Sequence, residues 1–167
     1  SGTAVEVPAE VTDAATALER RSEPGHRSCV LLADEAIASG NADGAARWLE
    51  RAVRLAPEDD ESRLRLALLE MRRGRPEAAA DLALGLLRRR PDCPGFLQLA
   101  GQALLAAGRP TDSLPVLERL VEIAPDNAEA RSLYGTALLV ERRMAEAVGQ
   151  LERATELDDS LLRAESL

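Results

Sequence analysis

The fold is decided by residues 60–127, DESRLRLALLEMRRGRPEAAADLALGLLRRRPDCPGFLQLAGQALLAAGRPTDSLPVLERLVEIAPDN, in which prolines and glycines return at a fixed interval. Pro91 and Pro125 are 34 residues apart, and Gly74 and Gly108 share that interval. The same spacing extends upstream to Pro57 and Gly40. A constant period of this length is typical of a repeat array, in which each repeat packs on its neighbours.

Each period reads as two helices when the blocks beginning at His26, Asp60, Pro94 and Ala128 are aligned. Apolar residues fall at helical spacing in the first and in the second half of a block. In the third block these are Leu97, Ala100, Gly101 and Leu104, then Leu114, Leu117, Leu120 and Val121. The turns Gly74-Arg75-Pro76 and Gly108-Arg109-Pro110 separate the two halves, since glycine suits a left-handed helix end and proline a helix start. Between blocks, Pro125-Asp126-Asn127 stops one helix and offers a cap for the next.

The aligned columns resemble the tetratricopeptide repeat family. Its pattern of tryptophan, leucine, glycine, tyrosine, alanine, phenylalanine, alanine and proline is met best by Leu97, Ala100, Gly101, Leu104, Ser113, Leu117, Leu120 and Pro125. The second block fits least, because Arg63 and Glu70 stand where the family prefers aromatic residues. The resemblance implies an all-α fold, a right-handed superhelical solenoid of antiparallel helix pairs, with about four repeats and an N-terminal helix.

The repeat period also predicts a division of the chain. We expect a disordered lead or tag remnant at residues 1–8, then an N-terminal helix at 9–25 that is either a cap or half a repeat. Four repeats follow at 26–59, 60–93, 94–127 and 128–161, and residues 162–167 read as the truncated start of a further helix. Six residues would cover a terminal apolar face poorly. We therefore expect the chain to be part of a longer protein, or to bury that end against another copy.

Composition disfavours two classes of partner. The net charge is −8, every basic residue is arginine, and only 2% of residues are aromatic, so a nucleic-acid partner is not expected. No run approaches the ~18 apolar residues of a membrane span, and the N-terminus lacks a signal-peptide layout. These features predict a soluble protein without membrane insertion. Its location is expected to be cytoplasmic, or periplasmic if an export signal was removed.

No catalytic, cofactor-binding or metal-binding residues are predicted, and the chain is not expected to be an enzyme. The one histidine, His26, has no ligand partners at metal-site spacing and is interpreted as a capping or solvated residue. Cys29 is interpreted as a small buried residue rather than a reactive thiol. The glycine turns lack the Lys-Ser or Lys-Thr of a phosphate-binding loop.

The family resemblance implies a concave groove lined by the first helices, which would bind a peptide or a helix of a partner protein. The residues facing it are predicted to be Val30, Asp34, Ile37, Leu64, Leu68, Met71, Gln98, Gln102, Leu105, Ser132, Thr136 and Leu139. Ile37, Met71, Leu105 and Leu139 would form an apolar stripe, or alternatively pack between neighbouring first helices. The Lys and Asn residues with which some family members hold a peptide carboxylate are missing, so a chaperone-tail receptor is not expected.

Arginines offer a second candidate surface. Arg72, Arg73 and Arg75 surround one turn, and Arg88, Arg89 and Arg90 end the following helix. They could bind an acidic partner. The alternative is structural, because positive charge at a helix C-terminus complements the helix dipole.

Three functions stay open. The first is a non-catalytic scaffold that binds a partner protein in the groove. The second is a regulatory or substrate-presenting repeat domain of a larger enzyme, for example a glycosyltransferase. The third is a self-associating structural module, a homo-oligomer formed through the C-terminal end.

Overall fold

The structure, a computed structural model, describes residues 24–165, and for residues 160–165 it describes the helical backbone only. The predicted lead at 1–8 and nearly all of the predicted helix at 9–25 lie outside the described residues. Across the described range the chain forms eight helices and no strand. The all-α prediction is confirmed.

The helices alternate as first and second members of pairs. The first helices are α1 (His26–Ala38), α3 (Asp60–Arg72), α5 (Pro94–Ala106) and α7 (Ala128–Val140). The second helices are α2 (Ala42–Leu55), α4 (Pro76–Arg89), α6 (Pro110–Ile123) and α8 (Met144–Glu165).

Helix starts follow the capping chemistry that the sequence suggests. Asn127 caps α7, because its Oδ1 accepts a hydrogen bond from the backbone N–H of Ala130 at 3.0 Å. Asn41 caps α2 in the same way, and Asp59 caps α3. The helices α4, α5 and α6 begin with proline, whose missing N–H costs nothing at that position.

The turn within each pair needs a left-handed residue. Gly40, Gly74 and Gly108 have φ of 75°, 70° and 70°, as the sequence predicts. In the fourth pair the same column holds Arg142, which takes φ of 61° without being glycine.

Among the described residues, those up to Pro57 form one compact unit, unit 1, and those from Glu58 onward form another, unit 2. In unit 1, α1 packs against α2. Its core is built mainly from small side chains, since the buried apolar residues other than Cys29 and Leu49, both fully buried, are alanines. Such a core allows two helices to approach closely while burying little apolar area per residue.

In unit 2, each helix from α3 to α8 packs on the next one, and the first helices also contact each other, α3 with α5 and α5 with α7. Buried leucines such as Leu104, Leu117, Leu120 and Leu138 form the centre of its core. Gly101 and Gly135 of the first helices lie against Leu117 and Leu151 of their second helices. The small residue in one helix thus receives the large residue of its partner, which is the packing that the aligned columns indicate.

The last helix is longer than the other second helices, with 22 residues against 14. Asp159 stands where earlier blocks carry Pro57, Pro91 and Pro125. Because aspartate does not break a helix as proline does, α8 continues through this position. Leu162, the predicted first residue of a further helix, lies inside α8.

Candidate functional site

In unit 2 the predicted groove residues occupy three columns, each with one residue from α3, α5 and α7. The columns are Leu64, Gln98 and Ser132, then Leu68, Gln102 and Thr136, then Met71, Leu105 and Leu139. Because these three first helices are direct neighbours, the structure brings all nine positions onto adjoining helices. In unit 1, Val30 is half-buried, whereas Asp34 and Ile37 are exposed on α1.

The middle column is the most open of the three. The Leu68 side chain is 46% exposed although its helix, α3, contacts the neighbouring first helix α5. Thr136 is also exposed, and its hydroxyl donates to the Ser132 carbonyl at 2.8 Å. Between them, half-buried Gln102 donates from Nε2 to Oε1 of Glu129 at 2.8 Å, a bond that joins α5 to α7. The hydrogen bond uses the NH2 group of the Gln102 amide. The amide oxygen is the other polar atom of this side chain and can accept a hydrogen bond.

The column of Met71, Leu105 and Leu139 is divided between packing and exposure. Met71 packs against the cluster of Ala79, Ala80, Ala103 and Leu104, and Leu105 packs against the cluster that contains Leu138. Leu64 of the first column packs in a similar way against Ala67 and Ala83. Only Leu139 of this column is exposed within unit 2. Packing between helices therefore accounts for Met71 and Leu105, and the open surface centres on Leu68.

Four of the six arginines predicted to form a second surface have partners within the protein. Arg89 pairs with Glu58 at 2.8 Å and with Asp60 at 3.0 Å, and Arg90 lies over the Phe96 ring at 5.5 Å from its centroid. Arg73 and Arg75 both bind Glu70, which is 4% exposed. These contacts give the arginines a structural use and leave fewer of them to bind an acidic partner.

Sequence reasoning missed this Glu70 cluster. The Glu70 carboxylate lies 2.6 Å from Nη1 of Arg73 and 2.5 Å from Nε of Arg75. Glu70 occupies an expected aromatic position, and the signal that could have found the cluster was the presence of two arginines three and five residues later. A buried carboxylate needs such partners.

Ion pairing and burial also affect polar side chains elsewhere in the described residues. The Arg143 guanidinium, hydrogen-bonded to Glu146 at 2.7 and 2.6 Å, holds the pKa of that carboxyl below its usual value. Burial raises the pKa of Tyr134. Cys29 is buried with Sγ 3.4 Å from the Pro24 carbonyl oxygen, in keeping with a small core residue.

The described part of the chain lacks two kinds of feature, a metal-binding cluster and a membrane-spanning helix. No group of three or more His, Cys, Asp or Glu side chains between residues 24 and 159 could hold a metal ion. Over the same described residues, none of the helices has the length and apolar character required to cross a bilayer.

Comparison with known proteins agrees with the observed helix pairs. A family model described as tetratricopeptide repeat matches residues 30–94 and 99–160. No curated protein matches the sequence. Among solved structures, MamA 41-end from Desulfovibrio magneticus RS-1 is 23% identical with a TM-score of 0.74, covering 80% of this chain and 76% of that chain.

Two further MamA structures have the same fold. MamA AMB-1 is 19% identical with a TM-score of 0.76 and covers 90% of this chain and 84% of that chain. MamA MSR-1 is 18% identical with a TM-score of 0.75 and covers 90% and 88%. At these identities the likeness shows the fold alone. The family match extends over most of the sequence, and the chain belongs to the tetratricopeptide repeat family.

Proposed function

We propose that this chain is a non-catalytic scaffold that binds a peptide or a helix of a partner protein on the first helices α3, α5 and α7. The observation that carries the proposal is the open middle column, in which exposed Leu68 and Thr136 flank the Gln102 amide. An apolar contact beside hydrogen-bonding side chains suits recognition of a peptide by its backbone and one anchoring side chain.

The geometry suggests the size of the bound segment. Packed helices are separated by about 10 Å, so the span from α3 to α7 is about 20 Å. An extended peptide rises about 3.3 Å per residue and needs about six residues to cross this span. Leu68 would contact an apolar side chain, and Gln98 and the Gln102 oxygen would hydrogen-bond the peptide backbone.

The charge of the protein limits the kinds of segment that it is expected to bind. The net charge of −8 and the exposed Glu129 beside Gln102 favour a neutral or basic segment. The family's Lys and Asn carboxylate clamp is missing, which favours an internal segment over a free C-terminus. The same net charge disfavours nucleic acid as the ligand.

A random-peptide display selection tests the proposal. The protein would be used as bait, and the selected peptides would be measured by fluorescence anisotropy against three proteins: wild type, Leu68→Arg and Leu55→Arg. Leu55 is the matched control, because it is a leucine on α2 with 50% exposure, close to that of Leu68. We expect Leu68→Arg to weaken binding at least about tenfold and Leu55→Arg to leave it unchanged.

Two outcomes would contradict the proposal. One is a selection that yields no peptide with saturable binding. The other is a set of peptides that bind Leu68→Arg as tightly as wild type, which would place their site elsewhere on the molecule.

A further inference from the structure

Exposed apolar residues concentrate near the last turn of unit 2. Leu139, Val140, Met144 and Val148 are all exposed within ten residues of sequence, and these four are defined here as the end patch. Met144 and Val148 lie one helical turn apart on α8, so their side chains share a face. Neighbouring exposed apolar residues of this kind mark an interaction site more often than single ones do.

In the earlier repeats, the residues equivalent to Val148 are covered by the next first helix. Ala80, the equivalent of Val148 in α4, is 0% exposed and belongs to a cluster with Ala103 and Leu104 of the next first helix, α5. Leu114, the equivalent in α6, packs against the cluster that includes Leu138 of α7. Val148 is 50% exposed although α7 of its own pair is in place. The part of the end patch formed by Val148 and Leu139 is therefore the side of a repeat that receives a following first helix, since Met71 and Leu105, the equivalents of Leu139, are packed as well.

The other half of this repeat-to-repeat interface is the side of a first helix that faces the preceding second helix, and this side is exposed on α1. Leu99 and Leu133 occupy equivalent positions in α5 and α7, and each belongs to a cluster with the preceding second helix. For Leu99 that cluster includes Ala83 of α4, and Leu99 is only 5% exposed. The equivalent residue of α1, Leu31, is 68% exposed. The α1 helix thus offers the side that a first helix turns toward a preceding second helix.

We propose that the end patch binds α1 of a second copy of this chain, head to tail. The contact would repeat between molecules the interface that α4 makes with α5 and α6 makes with α7. Both halves of a repeated interface are exposed on one chain, which is why a second copy is favoured over an unrelated helix. This surface involves the second helix α8 and is independent of the binding column around Leu68.

The nature of the interface determines the assembly. Its two halves are different, so the contact is heterologous, and each added copy offers a new end for the next. One helix packed on a helix pair buries less than ~1,200 Å², the low end of specific interfaces. We therefore expect weak, concentration-dependent association rather than a permanent dimer.

Sedimentation velocity with variants of each half tests the proposal over a concentration series from about 1 to about 300 μM, the range expected for a weak contact. The variants are Val148→Arg, which spoils the end patch, and Leu31→Arg, which spoils the α1 face. Leu55→Arg is the matched control at an exposed leucine outside both halves. Circular dichroism of each variant checks the fold, and arginine is well tolerated at exposed helix positions.

We expect the average mass of wild type and Leu55→Arg to rise with concentration from 17.9 kDa to at least twice that value, while each of the other variants alone stays monomeric. An equal mixture of Val148→Arg and Leu31→Arg should associate again but stop at the dimer. Each mixed pair has one intact end patch and one intact α1 face, and no more, so only a head-to-tail contact predicts this result.

Three outcomes would overturn the proposal. The first is a wild-type protein that stays monomeric throughout the concentration series. The second is loss of association in Val148→Arg but not in Leu31→Arg, which would indicate an end-to-end contact instead. The third is a mixture of the two variants that does not form dimers.

Discussion

Arg142 holds a backbone conformation that costs free energy for a residue with a side chain. Its φ of 61° occupies the column in which the other three turns have glycine. A Cβ in the left-handed region costs about 1 kcal/mol, whereas glycine enters it freely but loses more entropy on folding. We expect Arg142→Gly to raise the free energy of unfolding by about 0.5–1 kcal/mol, measured by urea denaturation.

Gly108→Ala provides the reverse control for this position. It introduces a Cβ at φ of 70° where nothing lies within 4 Å, so strain of the backbone is isolated from packing. It should lower the free energy of unfolding by about 1 kcal/mol. A loss of stability in both variants would show that the Arg142 side chain contributes more than its backbone costs.

The ionisation of Tyr134 can be followed without interference from other tyrosines, because it is the single tyrosine of the chain. Burial, followed by the negative charge of Glu118, raises the pKa of its hydroxyl above the ordinary value of 10.0. The unfolded chain ionises first, so the stabilisation is complete below about pH 10 and is lost as pH rises through the pKa of the folded state.

Absorbance at 295 nm follows phenolate formation directly. We expect a midpoint above about 10 in buffer and one near 10 in concentrated urea. Equal midpoints in the two solvents would mean that Tyr134 is hydrated in the folded protein.

At the scale of helices, the packing of a pair depends on one glycine facing one leucine. A Cβ added to Gly101 would lie 2.3 Å from Cδ2 and 2.8 Å from Cγ of fully buried Leu117. Overpacking costs about 1–3 kcal/mol, which exceeds the ~1 kcal/mol that alanine gains in helix propensity. We expect Gly101→Ala to lower the melting temperature.

Gly149→Ala is the matched variant, because Gly149 lies inside α8 with nothing within 4 Å of an added Cβ. It should raise stability by about 0.5–1 kcal/mol, since only helix propensity changes. If both substitutions stabilised the protein, α5 and α6 would be less closely packed than described.

The Glu70 cluster joins the end of α3 to the turn that follows it. Glu70→Gln keeps the shape of the side chain but removes the charge that Arg73 and Arg75 share. We expect a loss of about 1–3 kcal/mol in the free energy of unfolding, at the lower end because Arg75 is half-exposed. Glu152→Gln, at an exposed position on α8, should change it by less than about 0.5 kcal/mol. Equal effects of the two substitutions would refute a stabilising role for the cluster.

The sequence predicted the elements more completely than the surfaces. Helix pairs and turns were predictable because glycine, proline and cap residues act locally, as the turn at Gly108 and the cap at Asn127 show. Burial within a column was not predictable, since Met71 is packed and Leu139 is exposed although both are large apolar residues at equivalent positions. Met71 is packed because the following first helix, α5, lies beside it, whereas no first helix is described after α7, which carries Leu139. The difference is a property of the array and not of the column.

At the scale of the molecule, the division at Pro57 predicts that unit 2 folds by itself. The apolar clusters described for it are formed by residues after Glu58, and its six described helices make three pairs, the number at which stacked repeats bury a continuous core. A fragment of residues 58–167 also keeps Asp59, whose carboxylate caps α3. We expect this fragment to have a helical circular dichroism spectrum and a cooperative thermal transition.

The fragment of residues 1–57 is the comparison. Leu49 is the one leucine among the core residues described for unit 1, where alanines predominate, and a chain of this length buries too little apolar area to be stable without support. We expect it to show little helix and no cooperative transition. If 58–167 failed to fold while the full chain did, stability would come from the array as a whole, and the end patch would have to be studied in the intact protein. If 58–167 folds, it retains the end patch but lacks α1, and its own first helix, α3, carries Arg65 at the position equivalent to Leu31, so it should stay monomeric where the full chain associates.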